Sequence, residues 1–157
     1  MKLIPVLFIG FFLITSGFST PKPSETEKID QLIESWHKAA AEANYTNYFQ
    51  IMADNFIFMG TDPTERWNKE QFGAFCKPYF DQGKGWDFRK IERHSEISKD
   101  GKTAWFDERI ETWMKDCRGS GVLIKVGKEW KLSQYNLAVL IENDKIQEFI
   151  RLRELVK

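Results

Sequence analysis

From residue 86 onward, apolar side chains recur at every second position in four successive runs, Trp86–Ile97, Thr103–Met114, Gly119–Val126 and Trp130–Leu140. A period of two is that of a strand with one buried face. Four such runs joined by short connections form an antiparallel meander. Lys99-Asp100-Gly101-Lys102 and Val126-Gly127-Lys128-Glu129 place Gly where a tight hairpin needs positive φ, and Lys115-Asp116-Cys117-Arg118 reads as a looser third turn.

The first half of the chain has a different period. Ser24-Glu25-Thr26-Glu27 has capping-box spacing, and Ile29, Leu32, Ile33, Trp36, Ala40 and Ala43 then form a helical stripe that should lie on the sheet. A short helix is expected over Asn47–Met52, a strand at Phe56–Met59 ended by Gly60-Thr61-Asp62-Pro63, and a third helix at Lys69–Phe80. Ile146, Phe149, Ile150 and Leu155 suggest a C-terminal amphipathic helix at about 144–156. Helices followed by a long meander give an α+β class, and a twisted sheet that wraps around helices encloses a pocket open at one end.

A chain of 157 residues with 42% hydrophobic and 15% aromatic content can bury one core. Lys2, an apolar run from Leu3 to Ile14 and the small residues Gly17 and Ser19 read as a cleavable signal peptide over 1–19. Residues 20–25 form a tether and 26–157 a single domain. The protein is therefore expected to be exported, periplasmic or secreted, with no stable membrane insertion after cleavage. Equal counts of 23 basic and 23 acidic residues exclude the strong field that a nucleic-acid binder needs. Two His and two Cys without ligand spacing make no metal site, and no cofactor fingerprint is present. Cys76 and Cys117 are compatible with either a disulfide or two buried thiols.

Gly60 to Trp67, Ala104 to Glu108, Arg118 to Leu123 and Trp130 to Leu137, in that order, resemble the SnoaL-like branch of the nuclear transport factor 2-like superfamily, over roughly Thr26 to Asn143. The resemblance implies a cystatin-like cone of N-terminal helices packed on a strongly curved, mostly antiparallel sheet. Isomerases, dehydratases, polyketide cyclases and kinase association domains share that fold, so it does not fix an activity.

Strand parity selects candidate site residues. Ala104, Phe106, Glu108 and Ile110 share one face, which makes Glu108 a lone carboxylate among apolar neighbours. It reads either as a general base or as half of an ion pair with Arg118 or Arg66. On the last strand Trp130, Leu132, Gln134 and Asn136 share a face, which points the two amides into the cavity. The resemblance places His at those positions in many relatives, and an amide cannot shuttle a proton. Trp67, Phe106, Glu108, Arg118, Gln134 and Asn136 are thus the candidate ligand-binding set, with Glu108 the candidate catalytic residue. His37 is read as exposed, His94 as solvated or at the core edge, and Asp62 and Glu65 as turn and capping residues.

Three functions fit these observations. The preferred one is binding of a small, largely apolar ligand in the cavity. An enzyme of isomerase, dehydratase or cyclase type would use Glu108 as base, with Asn136 or Tyr135 polarising an oxygen. A homodimeric association domain would pair through the outer sheet face carrying Trp105 and Trp113.

Overall fold

The computed structural model describes residues 22–155. The leader expected at 1–19 and the first two tether residues lie outside the described residues. The elements are α1 (Glu25–Ala41), α2 (Tyr45–Gln50), β1 (Met52–Met59), β2 (Arg66–Asn68), α3 (Lys69–Phe80), β3 (Arg89–Ile97), β4 (Thr103–Thr112), β5 (Lys115–Val126), β6 (Glu129–Val139) and, after a 3-10 turn at Asn143–Lys145, α4 (Ile146–Glu154). One six-stranded sheet has the order β2-β1-β6-β5-β4-β3. Only β1 and β6 run parallel.

Local chemistry sets the element ends. The Ser24 hydroxyl accepts from the Glu27 N–H and the Ser24 N–H donates to the Glu27 carboxylate, so α1 starts one residue earlier than the tether boundary allows. Asn68 and Gln71 make the same reciprocal cap for α3. Helix α2 begins two residues before its expected start, because the Asn44 side chain accepts from the Asn47 N–H and Ala43 takes a left-handed φ of 51°. Trp86 does not join a strand as expected. Its N–H donates to the Ala40 carbonyl, and Gly85 is pressed so closely on α1 that a Cβ there would lie 2.2 Å from that same oxygen. The segment is therefore tied to the helix, and β3 starts at Arg89. The β4–β5 reversal falls at Trp113-Met114, where the Thr112 hydroxyl accepts from the Met114 N–H and Lys115 takes φ 74°, rather than at Lys115–Arg118.

The stripe of α1 packs on the concave face of the sheet. Ile29, Ile33, Trp36 and Ala40 are fully buried. Trp36 stacks on Tyr48 with ring centres 5.1 Å apart and meets Tyr135 edge-on at 4.7 Å. Burial of a side chain of this size contributes about 3 kcal/mol, so this triad binds α1, α2 and β6 into one core. Cys76 and Cys117 are both buried free thiols, and burial pushes the Cys76 thiol up to about 12. Helix α4 buries none of its side chains and exposes Ile146, Phe149, Ile150 and Leu152.

The inner face of β5 carries two glycines, Gly119 and Gly121, between Cys117 and Leu123. A Cβ on Gly121 would lie 2.6 Å from the Phe106 ring and 2.7 Å from the Gln134 carbonyl oxygen. Gly121→Ala should therefore lower stability to urea by about 1–3 kcal/mol through overpacking. Ser120→Ala, on the opposite face, should change it by less than about 0.5 kcal/mol. Equal midpoints for the two variants would show that the sheet can relax at residue 121.

Candidate functional site: a closed carboxylate network beside an aromatic cleft

Strand β4 presents Ala104, Phe106, Glu108, Ile110 and Thr112 to the interior. Glu108 is completely buried, and it lies opposite Arg93 of β3 and Gly119 of β5. Arg93 donates from Nε and Nη2 to Glu108 Oε2 at 2.9 and 2.7 Å. His37 Nε2 and the Tyr135 hydroxyl donate to Oε1 at 2.8 and 2.9 Å. An ionised carboxylate only accepts, so the His37 hydrogen sits on Nε2. Arg93 Nη1 continues to the Asp30 carbonyl of α1 at 3.1 Å, which anchors the guanidinium to the helix.

This arrangement depends on Gly119. A Cβ there would fall 2.1 Å from the Tyr135 hydroxyl oxygen and 2.8 Å from Glu108 Oε1. Only a residue without a side chain lets the phenol reach the carboxylate.

The electrostatics are those of a locked ion pair. Burial acts to raise the Glu108 carboxyl, but the hydrogen bond from His37 and the charge and hydrogen bonds of Arg93 outweigh it and hold the pKa at about 2. Burial, followed by the Glu108 charge, pushes the Tyr135 phenol well above its ordinary value, so it remains a donor. A general base at neutral pH needs a pKa near 7 and a free lone pair aimed at substrate. Glu108 has neither in this geometry. The ion-pair reading describes it, with Arg93 in the place expected for Arg118 or Arg66.

The neighbouring cavity is separate from this network. A cleft of about 140 Å³ opens between β1, β2, α3, the Trp86–Phe88 segment and the β4–β5 turn. Phe58 stacks on Phe72 with centres 4.1 Å apart and planes 8° from parallel. Trp67 stacks on Phe58 at 6.0 Å and packs on Phe75 at 4.7 Å, and Phe75 stacks on Trp86 at 6.1 Å. Leu137, Met114 and Phe88 complete the apolar wall, and Trp113 stands at the mouth, 78% exposed. Thr61 and Glu65 are the polar side chains at the rim apart from Tyr48.

Of the candidate residues, Trp67 lines this cleft. Phe106 is buried in the core, against Gly121 and near Tyr135, and does not line it. Gln134 and Asn136 do not point inward as expected. The β5–β6 register shifts between Val122 and Leu123, so that Ser133 is an extra residue on β6. A one-residue bulge exchanges the faces of everything beyond it. Tyr135 and Leu137 thus turn inward, while Gln134 and Asn136 lie on the outer face opposite Val122 and Ser120. Arg118 is on that outer face as well, half exposed and 3.4 Å from Asp107. Trp113 lies in the turn and lines the cleft rather than standing on the outer face beside Trp105.

The expectation for His37 is overturned: it is 4% exposed and bonded to Glu108. Its position one turn after Ile33, on the buried stripe, was the available signal. Arg93 was not singled out either, although pairing strands outward from the Asp100-Gly101 turn sets it opposite Glu108. Asp62 is a turn residue, accepting from the Thr64 N–H at 2.8 Å. Among the described residues no cluster of three His, Cys, Asp or Glu could hold a metal ion.

Because the folded pKa of Glu108 is depressed from 4.5 to about 2, its contribution to stability is complete above about pH 4.5 and is lost as pH falls through 2. Acid titration of the unfolding free energy should show this loss, worth about 3 kcal/mol. Glu108→Gln should remove that acid dependence and cost about 3–5 kcal/mol at pH 7, because it strands the Arg93 guanidinium in the interior. A Glu108→Gln protein as stable as wild type at pH 7 would show that the network does not hold the fold.

Comparison with known proteins places the architecture. No curated protein is significantly similar to the chain in sequence. Among solved structures, a nuclear transport factor 2-like protein of unknown function from Pseudomonas putida is 13% identical, with a TM-score of 0.65 over 76% of this chain and 89% of that one. A nuclear transport factor 2-like protein from Cytophaga hutchinsonii is 16% identical, with a TM-score of 0.61 over 75% of this chain and 100% of that one. A candidate ketosteroid isomerase from Parabacteroides distasonis is 13% identical, with a TM-score of 0.60 over 74% and 89%. At such identities the likeness shows the fold alone. The family profile described as the SnoaL-like domain matches residues 29–142. The chain therefore belongs to the SnoaL-like domain family, on a nuclear transport factor 2-like cone.

Proposed function

We propose that this protein is an exported binder of a small, largely apolar ligand, which it holds in the aromatic cleft without proton-transfer chemistry at Glu108. The observation that carries the reading is the wall of Phe58, Trp67, Phe72, Phe75 and Trp86, in which neighbouring rings stack beside an open volume of about 140 Å³. An apolar cavity of about 150 Å³ takes up one benzene ring, so the cleft suits a single ring or a branched group of that size. Rigid aromatics lose little conformational entropy when they clamp a ligand. The candidate isomerase among the structural neighbours raises an isomerase reading, but Glu108, the carboxylate on which that reading rests, has its lone pairs engaged by His37, Tyr135 and Arg93. Export rests on the leader-like residues 1–19.

Pairing of two copies through the outer sheet face is a compatible second reading, supported by Trp105, which is 45% exposed there. Light scattering should give a dimer for the wild type and a monomer for Trp105→Lys. A monomeric wild type would exclude the pairing.

Ligand-observed NMR with neutral one-ring compounds such as toluene and benzyl alcohol tests the cleft. Saturable binding is expected, weakened at least tenfold in Trp67→Ala and unchanged in Gln134→Ala and Asn136→Ala. Absence of saturable binding to the wild type, or equal loss in the outer-face variants, would reject the cleft as the site.

A further inference from the structure

Within the cleft assigned above to ligand binding, we infer that the group recognised is an organic cation of the trimethylammonium or aryl-amine class. This rests on the cleft reading and deepens it.

Three indoles, Trp67, Trp86 and Trp113, surround the opening together with phenyl rings, and Glu65 is the only charged side chain among the described residues that lines it. No Lys, Arg or His among the described residues lines the cleft. Glu65 has no cationic partner within salt-bridge distance among the described residues; one of its carboxylate oxygens accepts only the Asp62 N–H, at 3.2 Å. The carboxylate is also held in a set position. It folds over the bare Cα of Gly60, where a Cβ would meet Glu65 Oε2 at 2.0 Å.

Among the described residues no side-chain cation sits over the rings of the cleft. Where side-chain cations of this protein do sit over rings, they use Tyr45, Trp130 and Phe149, none of which belongs to the cleft. A cation is attracted to the negative face of an aromatic ring, most strongly to indole, and the attraction grows when the site is desolvated. A neutral apolar ligand would gain nothing from Glu65 and would have to desolvate its carboxylate. An anionic ligand would meet both the carboxylate and the ring quadrupoles as repulsion. A compact cation with an apolar surface satisfies both components of the wall at once, and a trimethylammonium head fits a volume that holds about one benzene ring.

The test compares choline with 3,3-dimethylbutan-1-ol, in which carbon replaces the charged nitrogen and the shape is kept. In isothermal titration of the purified mature protein, choline should bind at least tenfold more tightly than the alcohol. Glu65→Gln should lower that ratio by weakening choline, with the rings keeping part of the preference, and should leave the alcohol bound no more weakly than in the wild type. Trp67→Ala should weaken both ligands. A ratio near one in the wild type, with the alcohol and neutral arenes still binding, overturns the cation assignment and leaves the apolar cleft standing. A preference for choline undiminished by Glu65→Gln overturns the role of the carboxylate. Failure of choline, the alcohol and the neutral arenes alike removes both the cation assignment and the cleft reading beneath it.

Discussion

The fold is organised around one buried carboxylate. Glu108 takes two hydrogen bonds from Arg93 on β3, one from His37 on α1 and one from Tyr135 on β6. Each element thereby acquires a fixed height and rotation relative to β4, which hydrophobic contact alone would not specify. A buried ion pair is poor as a source of net stability, since desolvation offsets much of the attraction. Its value lies in what a misplaced element would cost: any shift of α1 or β6 leaves a charge or a polar group unpaired in the interior. The helix stripe and the stacked Trp36, Tyr48 and Tyr135 supply the apolar driving force, and the carboxylate decides which packing is adopted.

The same residue is held apart from the neighbouring cleft by its own hydrogen bonds. A cone-shaped cavity in a curved sheet invites the idea that its buried carboxylate performs proton transfer. Here that carboxylate is fully coordinated and sits behind the wall, whereas the acid at the rim, Glu65, comes from the loop between β1 and β2. Family membership through residues 29–142 fixes the scaffold. The character of the site comes from the aromatic residues that this sequence places on β1, β2 and α3.

Much of the architecture was legible because it follows from local rules. The capping box at Ser24, the limits of α3 and the Asp100-Gly101 hairpin are each written in a few adjacent residues. Glu108 was recognisable as an inward acid by alternation along β4 alone. Its partners were harder to read, because Arg93 requires the cross-strand register and His37 requires knowing how far the buried stripe of α1 extends around the helix. The cleft was the least legible feature. Its walls come from segments distant in sequence, and the short strand β2, which carries Trp67, resembles a turn when read alone. Gln134 and Asn136 were misassigned for a single reason: uninterrupted alternation was assumed for β6, and a bulge is set by how two strands meet rather than by either strand's own pattern.

That bulge is a place where β6 can lose a residue without changing which of its side chains face the core. Removing Ser133 would leave Leu132 opposite Leu123 and Gln134 opposite Val122 in an uninterrupted ladder with Tyr135 and Leu137 still inward, whereas drawing Ser133 into the ladder would carry Gln134 and Asn136 to the interior. An added residue between β3 and β4 would lengthen a surface loop at small entropic cost. It is the pairing of β6 with β5, and not the length of the strand, that brings the Tyr135 phenol to the Glu108 carboxylate.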